Sequence, residues 1–383
     1  MININAHIHT PYSFSSFSGM NEAFEMAVKE NIKVLGINDF YVTDGYEDFF
    51  KLATENKIYP LFNFEAIALS KDMQENGTRI NDPANPGRVY ICGKGLNYPA
   101  TLSDNRSELL ENLKAESQRQ IVEIIYKLDS WLCELGINFI FAYETIRSRF
   151  ARKLVRERHI AQALRTMIFE QYHDDNARKE ILKKIYDGIP TSVDINNHAA
   201  LENELRNNLL KAGKKAFVPE DEKAFLTVWQ LCDIIIDSGG IPCYPVLLDD
   251  AAGNFTEFEE NWENLFKYLI DWNIFCIELI PHRNKLEILE PFVKFFHEKG
   301  IIITFGTEHN TPGIMPLTPC CSGAVPLTNY LKKINYEGAC IIAAHQYLHQ
   351  QGKPGFIDDN GNQCNHPGNL KPMGDLIIKE WIN

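Results

Sequence analysis

The stretch from Ile4 to Gly19 reads INAHIHTPYSFSSFSG, and the HIH at its centre suggests a metal site near the start of the chain. The surrounding MININAHIH pattern is typical of a β-strand. Residues two apart on a strand point to the same face, so His7 and His9 would face the same side. Two such imidazoles can bind one zinc, manganese or iron ion. An isolated HxH carries little information, and a chance pair on a solvent-exposed face is the alternative.

Strand-like and helix-like segments alternate through most of the chain. The strand-like segments are residues 1–9, 33–40, 59–69, 89–96, 135–146, 239–248, 274–281 and 301–310. Strands separated by helices of this length predict βαβ units and a parallel sheet, so the fold class is α/β. Six or seven such units favour a barrel over an open sheet.

One part of the chain departs from this alternation. The sequence between residues 147 and 237 is helical in pattern and heavily charged, without a strand signal. We therefore predict a barrel formed by residues 1–146 and 238–315, a helical insertion at 147–237, and a C-terminal extension at 316–383.

The composition argues against several classes of protein. The 383-residue chain has a formal net charge of −13, which is unfavourable for coating a nucleic-acid backbone. The N-terminus lacks the pattern of a signal peptide, and the apolar runs are too short to span a bilayer. Nine cysteines without CxxC spacing indicate reduced thiols. We expect a cytoplasmic protein with a small-molecule partner and no membrane contact, and the oligomeric state is left open.

Polar residues occur where several predicted strands end, which is where a (β/α) barrel places its chemistry. Asp39 ends the second strand, where capping of the next turn is the alternative role. Glu65 and Glu278 lie within apolar strands, where a carboxylate is costly unless it is paired or bound to a metal. Glu308 and His309 follow the last strand. Acids and histidines at five strand ends indicate a metal site more strongly than the HIH alone.

In order and spacing these segments resemble the motifs of the PHP superfamily, the polymerase and histidinol phosphatase domains. The family motifs HxHTxxSDG, TDHD, GxE, GGxxxLAHP and GSDxH correspond to HIHTPYSFS at 7–15, INDF at 37–40, FNFE at 62–65, GGIPCYPVLL at 239–248 and FGTEHN at 305–310. RERHIAQAL at 156–164 is similar to the RxHIAxAL of phosphoesterase-like members, with Glu157 in place of the arginine. The resemblance covers roughly residues 1–315.

This resemblance implies a distorted (β/α)7 TIM-like barrel that binds up to three divalent cations and hydrolyses phosphate esters. Only His7, His9 and Glu65 match the family ligands cleanly. The chain departs from the acidic and histidine positions of the motifs at Phe14, Phe40, Tyr244, Glu308 and Asn310. The chain therefore resembles a divergent member with incomplete metal-ligand motifs, for which we expect one or two ions of Mn, Zn, Fe or Mg.

The leading hypothesis is a metal-dependent phosphoesterase that acts on a small phosphorylated substrate. The expected metal ligands are His7, His9, Glu65 and Glu308. The expected catalytic groups are Asp39, as a further ligand or a group that orients a histidine, and His309, as a ligand or general acid. The expected substrate-binding residues are Arg156, Arg158, His159 and Tyr244, although a solvated helix face is the alternative for the first three.

Two other hypotheses stay open. In the first, the metal site has decayed, and a binding or regulatory protein uses Phe14, Phe40 and Tyr244 to line an apolar pocket. In the second, one metal remains and the substrate is sugar-like or an amide, with Tyr244 as proton donor. The C-terminal residues His345, His349, Cys364 and His366 have spacing too weak to indicate zinc, and we expect structural or surface roles for them.

Overall fold

A seven-stranded sheet forms the centre of the protein in the computed structural model, which describes residues 2–249 and 253–383. Its strands are neighbours in chain order: β1 (Asn3–Ile8), β2 (Ile32–Phe40), β3 (Tyr59–Leu69), β4 (Arg88–Lys94), β5 (Ile241–Val246), β6 (Cys276–Leu279) and β7 (Ile302–Phe305). β4 runs antiparallel to both of its neighbours, and the other adjacent strands are parallel. A bridge between Ile8 and Glu308 brings the two edges together. The sheet is thus nearly closed, which confirms the predicted distorted TIM-like barrel.

Helices connect the strands and surround the sheet. They are α1 (Met20–Lys29), α2 (Tyr46–Asn56), α3 (Lys71–Glu75), α4 (Asp104–Glu134), α5 (Tyr143–Phe150), α6 (Glu157–Gln171), α7 (Asp175–Ile185), α8 (His198–Leu209), α9 (Val228–Asp237), α10 (Trp262–Asp271), α11 (Leu286–Glu298), α12 (Asn329–Gln350) and α13 (Pro367–Ile382). A short hairpin pairs β8 (Cys320–Cys321) with β9 (Val325–Pro326).

The burial pattern explains why these segments form a covered barrel. Every residue of β3 is buried, as expected for a strand with protein on both faces. In α1 the buried residues Met20, Ala23, Phe24 and Ala27 recur at three- and four-residue spacing, which gives the helix one apolar face. That face packs into the hydrophobic cluster between the sheet and its outer helices.

The strand predicted at residues 135–146 is not formed. Residues 137–142 have irregular backbone, and α5 begins at Tyr143. The apolar residues that suggested a strand are used differently, because Ile137, Phe141 and Ile146 are buried in a separate hydrophobic cluster among helices. The apolar residues of this segment are therefore buried against helices and do not pair with a neighbouring strand.

The helical part of the protein has its own hydrophobic cluster, which draws on residues from Ile121 to Val218. The long helix α4 joins it to the barrel. Leu110 and Leu113 in the first half of α4 pack on the barrel cluster, whereas Ile121 and Leu128 pack in the helical one. This cluster begins before residue 147, at which we predicted that the insertion starts.

Helix α12 covers the end of the barrel at which the parallel strands begin. The Asn335 side chain bonds to the backbone of Ile4, near the start of β1, and the Gln346 side chain bonds to that of Pro60 and Phe62, near the start of β3. Because one end of the barrel is covered, the opposite end, where the parallel strands finish, is left for a site. No helix within residues 2–249 and 253–383 is long and apolar enough to cross a membrane.

Candidate metal centre

Two histidines and a glutamate converge inside the barrel. His7 and His9 lie on and just after β1, and their Nε2 atoms are 3.2 Å apart. Oε2 of Glu65, on β3, lies 3.5 Å from Nε2 of His7 and 3.7 Å from Nε2 of His9. All three side chains are buried.

The spacing of these three atoms fits one bound cation. Zinc–nitrogen and zinc–oxygen bonds of about 2.1 Å in tetrahedral geometry place neighbouring ligand atoms about 3.4 Å apart. The three observed separations, from 3.2 to 3.7 Å, bracket that value. The site therefore needs little rearrangement to hold a divalent ion between His7, His9 and Glu65.

His9 and Glu65 both have pKa values shifted from the ordinary range. Burial and the nearby carboxylates of Glu308 and Glu278 raise the pKa of Glu65. Burial and the neighbouring His7 ring lower the pKa of His9, which favours the neutral imidazole that binds metals. A positive ion would relieve the repulsion among the carboxylates.

Further side chains orient the two histidines. Nδ1 of His7 lies 3.0 Å from Oε2 of Glu278, and Nδ1 of His9 lies 3.3 Å from Oγ of Ser13. A carboxylate can only accept, so His7 carries its proton on Nδ1 and has an unprotonated Nε2, which lies 3.2 Å from the amide nitrogen of Asn38. Such partners of ligating histidines fix the tautomer and the ring orientation.

Asp39 forms no hydrogen bond with His7, His9 or Glu65 among the described residues, and its partners are Thr10 and Ser13. Its Oδ1 accepts hydrogen bonds from the Thr10 amide at 2.7 Å and from the Ser13 hydroxyl at 2.6 Å. Its Oδ2 accepts a hydrogen bond from the Thr10 hydroxyl. Burial raises the pKa of Asp39 to about 6, against the effect of the hydrogen bonds from Ser13 and Thr10.

The structure also shows a group that the sequence reasoning missed. Nζ of Lys94, at the end of β4, donates to Oε2 of Glu278 at 2.6 Å and to Oδ1 of Asn38 at 3.0 Å. Burial alone would lower the pKa of Lys94, but the Glu278 carboxylate raises it overall. The sequence does contain a signal for Lys94, because this charged residue lies within the apolar segment VYICGKGL. The same signal, a charge within an apolar strand, pointed to Glu65 and Glu278.

Glu308 lies at the junction of the two sheet edges. Its backbone N–H donates to the carbonyl of His7 at 3.0 Å, and its own carbonyl accepts from the amide of His9 at 2.7 Å. Its carboxylate forms an ion pair with Arg283 and accepts from Asn310 at 2.8 Å. The structure therefore brings Glu308 near the trio, with its carboxylate paired to an arginine.

His309 and Tyr244 lie apart from the trio. Nδ1 of His309 bonds to Thr307 and Nε2 to the carbonyl of Met315, both at 2.8 Å, and its ring stacks on Phe17. Tyr244 lies in the cluster between the sheet and the outer helices, where its hydroxyl donates to Glu259 at 2.7 Å.

A cleft of about 430 Å³ lies over the trio, between the barrel and the helical part. His9 and Glu65 lie on the barrel side, and Arg156 and Arg158 on the helical side. The Arg156 guanidinium lies 4.1 Å from the centre of the Phe40 ring, and that of Arg158 lies 5.4 Å from the centre of the Phe14 ring. Both distances are typical of cation–π contacts.

The cations of the cleft differ in how they are neutralised. Oε2 of Glu157 accepts from Arg206 at 2.8 Å and from Lys211 at 2.7 Å. Arg158 donates to the neutral Asn203 at 2.8 Å. Across residues 2–249 and 253–383, neither Arg156 nor Arg158 forms an ion pair. The cleft therefore presents two guanidinium groups that an anion can pair with.

His159 is buried beside this cleft. Its Nδ1 accepts from the backbone N–H of Arg156 at 3.0 Å, and its ring contacts Phe14 edge-on at 5.2 Å between centroids. Burial and Arg156 lower the pKa of His159 to about 3. His159 thus holds the start of α6, on which Arg158 lies.

The comparison with protein families agrees with this geometry. The family model described as the PHP domain matches residues 5–282. The chain belongs to the PHP domain family. The match includes the HIH stretch, Glu65 and Glu278, and it confirms the resemblance inferred from the ordered strand-end motifs.

Two solved structures share the fold. A proposed metal-dependent phosphoesterase from Bifidobacterium adolescentis aligns at 14% identity with a TM-score of 0.54, over 87% of this chain and 95% of that one. An amidohydrolase from Chromobacterium violaceum, solved with bound sulfate and no metal, aligns at 14% identity with a TM-score of 0.56, over 87% and 96%. At this identity the likeness concerns the fold alone. No curated protein matched the sequence.

The C-terminal histidines and Cys364 have partners of their own. His345 is fully buried in α12 and bonds the backbone of Gly239 and Phe356, and its ring lies 4.4 Å from that of His349. Cys364 bonds the carbonyl of Gly355. His366 accepts from the amide of Gly368 at the start of α13. These contacts fit structural roles.

Proposed function

We propose that the protein is a metal-dependent hydrolase that acts on a small phosphorylated substrate. The observation that carries this proposal is the cleft in which His9 and Glu65 face Arg156 and Arg158. Metal ligands and guanidinium groups in one cleft are complementary to a phosphate monoester, because both stabilise negative charge on phosphoryl oxygens.

The chain's residues have distinct roles in this proposal. His7, His9 and Glu65 would hold a divalent ion, which supplies Lewis acidity and an activated water when bound. Arg156 and Arg158 bind the phosphate oxygens and orient the ester. The volume of about 430 Å³ suits a small substrate rather than a polymer.

The test is a panel of small phosphate monoesters, including p-nitrophenyl phosphate, assayed with Mn²⁺ or Zn²⁺ and with a chelator. We expect hydrolysis that requires the metal and is lost in His9→Ala and Glu65→Gln, together with metal uptake. The exposed His173→Ala serves as the matched control and keeps both properties. Metal uptake with hydrolysis of amides but of no phosphate ester would overturn the substrate class, and no metal uptake would overturn the whole proposal.

The aromatic lining of the cleft supports a second candidate, a binding protein without turnover. Phe14 and Phe40 line the cleft, as this alternative expects, whereas Tyr244 lies outside it. Calorimetric titration of the same phosphate esters distinguishes the two candidates. Binding without product release at any metal concentration would favour the second.

A further inference from the structure

A buried lysine and a buried glutamate form an ion pair beside the candidate metal ligands. Lys94 and Glu278 are both 0% exposed, and Nζ of Lys94 donates to Oε2 of Glu278 at 2.6 Å. Charges buried in this way are costly unless they are paired. The pair is therefore a specific feature of the site rather than a surface contact.

The glutamate of this pair also belongs to a second set of possible metal ligands. His7, Cys92 and Glu278 each offer a ligand atom, and these atoms all lie within 4.8 Å of one another. Oε1 of Glu278 is buried and has no hydrogen-bond partner among the described residues. Carboxylate, thiolate and imidazole together are a donor set that binds divalent transition metals.

The ammonium of Lys94 already supplies a positive charge to that set. A divalent ion placed against Glu278 would meet this like charge at close range in a buried environment, where repulsion is strong. The ligand atoms of His7, His9 and Glu65 lie on the other side of the His7 ring from Glu278. Within the described ranges none of them accepts a hydrogen bond from Lys94, so an ion held by the trio would not be in direct contact with the ammonium.

We propose that the Lys94 ammonium takes the place of a second metal ion, so that the centre holds a single divalent ion between His7, His9 and Glu65. The inference rests on the proposed function and deepens it, since it gives the number of ions.

The lysine also connects the two ligand sets through Asn38. Because Nζ donates to Oδ1 of Asn38, the amide nitrogen of Asn38 must face the trio. That nitrogen lies 3.3 Å from Oε2 of Glu65 and 3.2 Å from Nε2 of His7. Lys94 therefore orients a donor toward Glu65 as well as neutralising Glu278.

The test counts the ions bound. Metal-free protein is dialysed against saturating Mn²⁺ and analysed for metal per chain, in the wild type, Lys94→Ala, Lys94→Ala/Glu278→Gln and the control Lys33→Ala on β2. We expect one ion in the wild type and in Lys33→Ala, two in Lys94→Ala, and one in the double variant, because the second ion needs the freed Glu278 carboxylate.

Electron paramagnetic resonance of Mn²⁺ provides an independent readout and covers the case in which Lys94→Ala does not fold. The wild type should show the signal of an isolated ion, and Lys94→Ala that of a coupled pair. Two coupled ions in the wild type, or one ion in folded Lys94→Ala, would overturn the inference and leave the hydrolase proposal intact. No bound ion in the wild type would overturn both.

Discussion

Ser13 donates a hydrogen bond to Asp39, with 2.6 Å between its Oγ and Oδ1 of the carboxylate. The same hydroxyl lies 3.3 Å from Nδ1 of His9. Since the hydroxyl gives its own proton to the buried carboxylate, it accepts the ring proton of His9, and Nε2 of His9 is left free for a metal. A hydroxyl and a carboxylate on two different segments thus set the tautomer of His9, one of the proposed ligands.

Ser13→Ala should therefore weaken metal binding. Loss of the hydroxyl leaves Nδ1 of His9 without its acceptor, and loss of such a partner typically costs 10- to 100-fold in metal affinity, so we expect a rise in Kd of about that size. Competition with a chromophoric chelator measures it. The exposed Ser18→Ala, five positions away on the same segment, is the control and should keep the wild-type Kd. An unchanged Kd in Ser13→Ala would contradict the role of the hydroxyl.

Removal of the cleft arginines should act on substrate binding. Charge-assisted hydrogen bonds contribute roughly 1.5–3 kcal/mol, so Arg156→Ala and Arg158→Ala should each raise the KM for a phosphate ester by about tenfold or more. Metal content should stay at the wild-type level. The control is Arg149→Ala, which removes an exposed ion pair with Glu170 on the helical part. Wild-type KM values in both variants would favour the solvated-face alternative for these arginines.

Glu157→Gln should change the KM in the opposite direction. The Glu157 carboxylate neutralises Arg206 and Lys211. Burial alone would raise the pKa of Glu157, but the two cations lower it below the ordinary value overall. Without the negative charge, both cations are available to an anion in the cleft. We expect a KM for phosphate esters several-fold lower than in the wild type, with a steeper dependence on salt. A higher KM would show that Glu157 itself contacts the substrate.

Most of the barrel could be predicted from local sequence patterns. Seven of the eight strand-like segments form strands, because short apolar runs between turn residues reflect the local backbone preference and burial together. The exception at 135–146 has the same local pattern, but its apolar residues meet helices rather than neighbouring strands. Which surface a short apolar run packs against is a long-range property that its own residues do not encode.

Some residues of the candidate site could likewise be predicted from local sequence, whereas others depend on long-range contacts. His7 and His9 could be proposed as ligands because they stand at the end of the first strand in an ordered series of motifs. Glu65 could be proposed because a carboxylate within an apolar strand is costly unless it is paired or bound to a metal. The pairing of Lys94 with Glu278 spans 184 positions, and nothing local in the sequence links the two residues. His309 follows the last strand as predicted, but the chain turns sharply there, with positive φ at Glu308 (60°) and His309 (55°), and the ring packs on Phe17.

Tyr244→Phe should affect stability rather than turnover. The variant removes the hydroxyl that donates to Glu259 at 2.7 Å inside the outer cluster, and Tyr244 is not among the residues that line the cleft. Loss of one buried hydrogen bond costs about 1–3 kcal/mol, which urea unfolding can detect. The kcat and KM of Tyr244→Phe should match those of the wild type. The control Tyr268→Phe, at a half-exposed position, should keep the wild-type stability and activity. A large fall in kcat would revive Tyr244 as a proton donor.

His345 should make the stability of the protein sensitive to acid. Its Nε2 lies 2.9 Å from the carbonyl of Gly239, and its Nδ1 accepts from the amide of Phe356 at 3.0 Å. A proton on Nδ1 would abolish the second bond, and burial, with the neighbouring His349, lowers the pKa of His345 to about 3. The unfolded chain has an ordinary histidine pKa of about 6.5.

The sign of the effect follows from these two values. Between pH 6.5 and 3 the histidine is protonated in the unfolded state and neutral in the folded state. The contribution of the neutral His345 ring to the free energy of unfolding is therefore complete above pH 6.5 and decreases as the pH falls. The slope approaches about 1.4 kcal/mol per pH unit below pH 5.5. His345→Gln should lose that pH dependence of the unfolding free energy. The control Gln346→Leu removes neighbouring buried hydrogen bonds but no titrating group, so it should lower the stability at every pH and retain the wild-type slope. Amide exchange at Phe356 in the wild type gives a local readout, since its protection should decline over the same pH range. An identical slope in the wild type and His345→Gln would show that the buried ring does not couple folding to protonation.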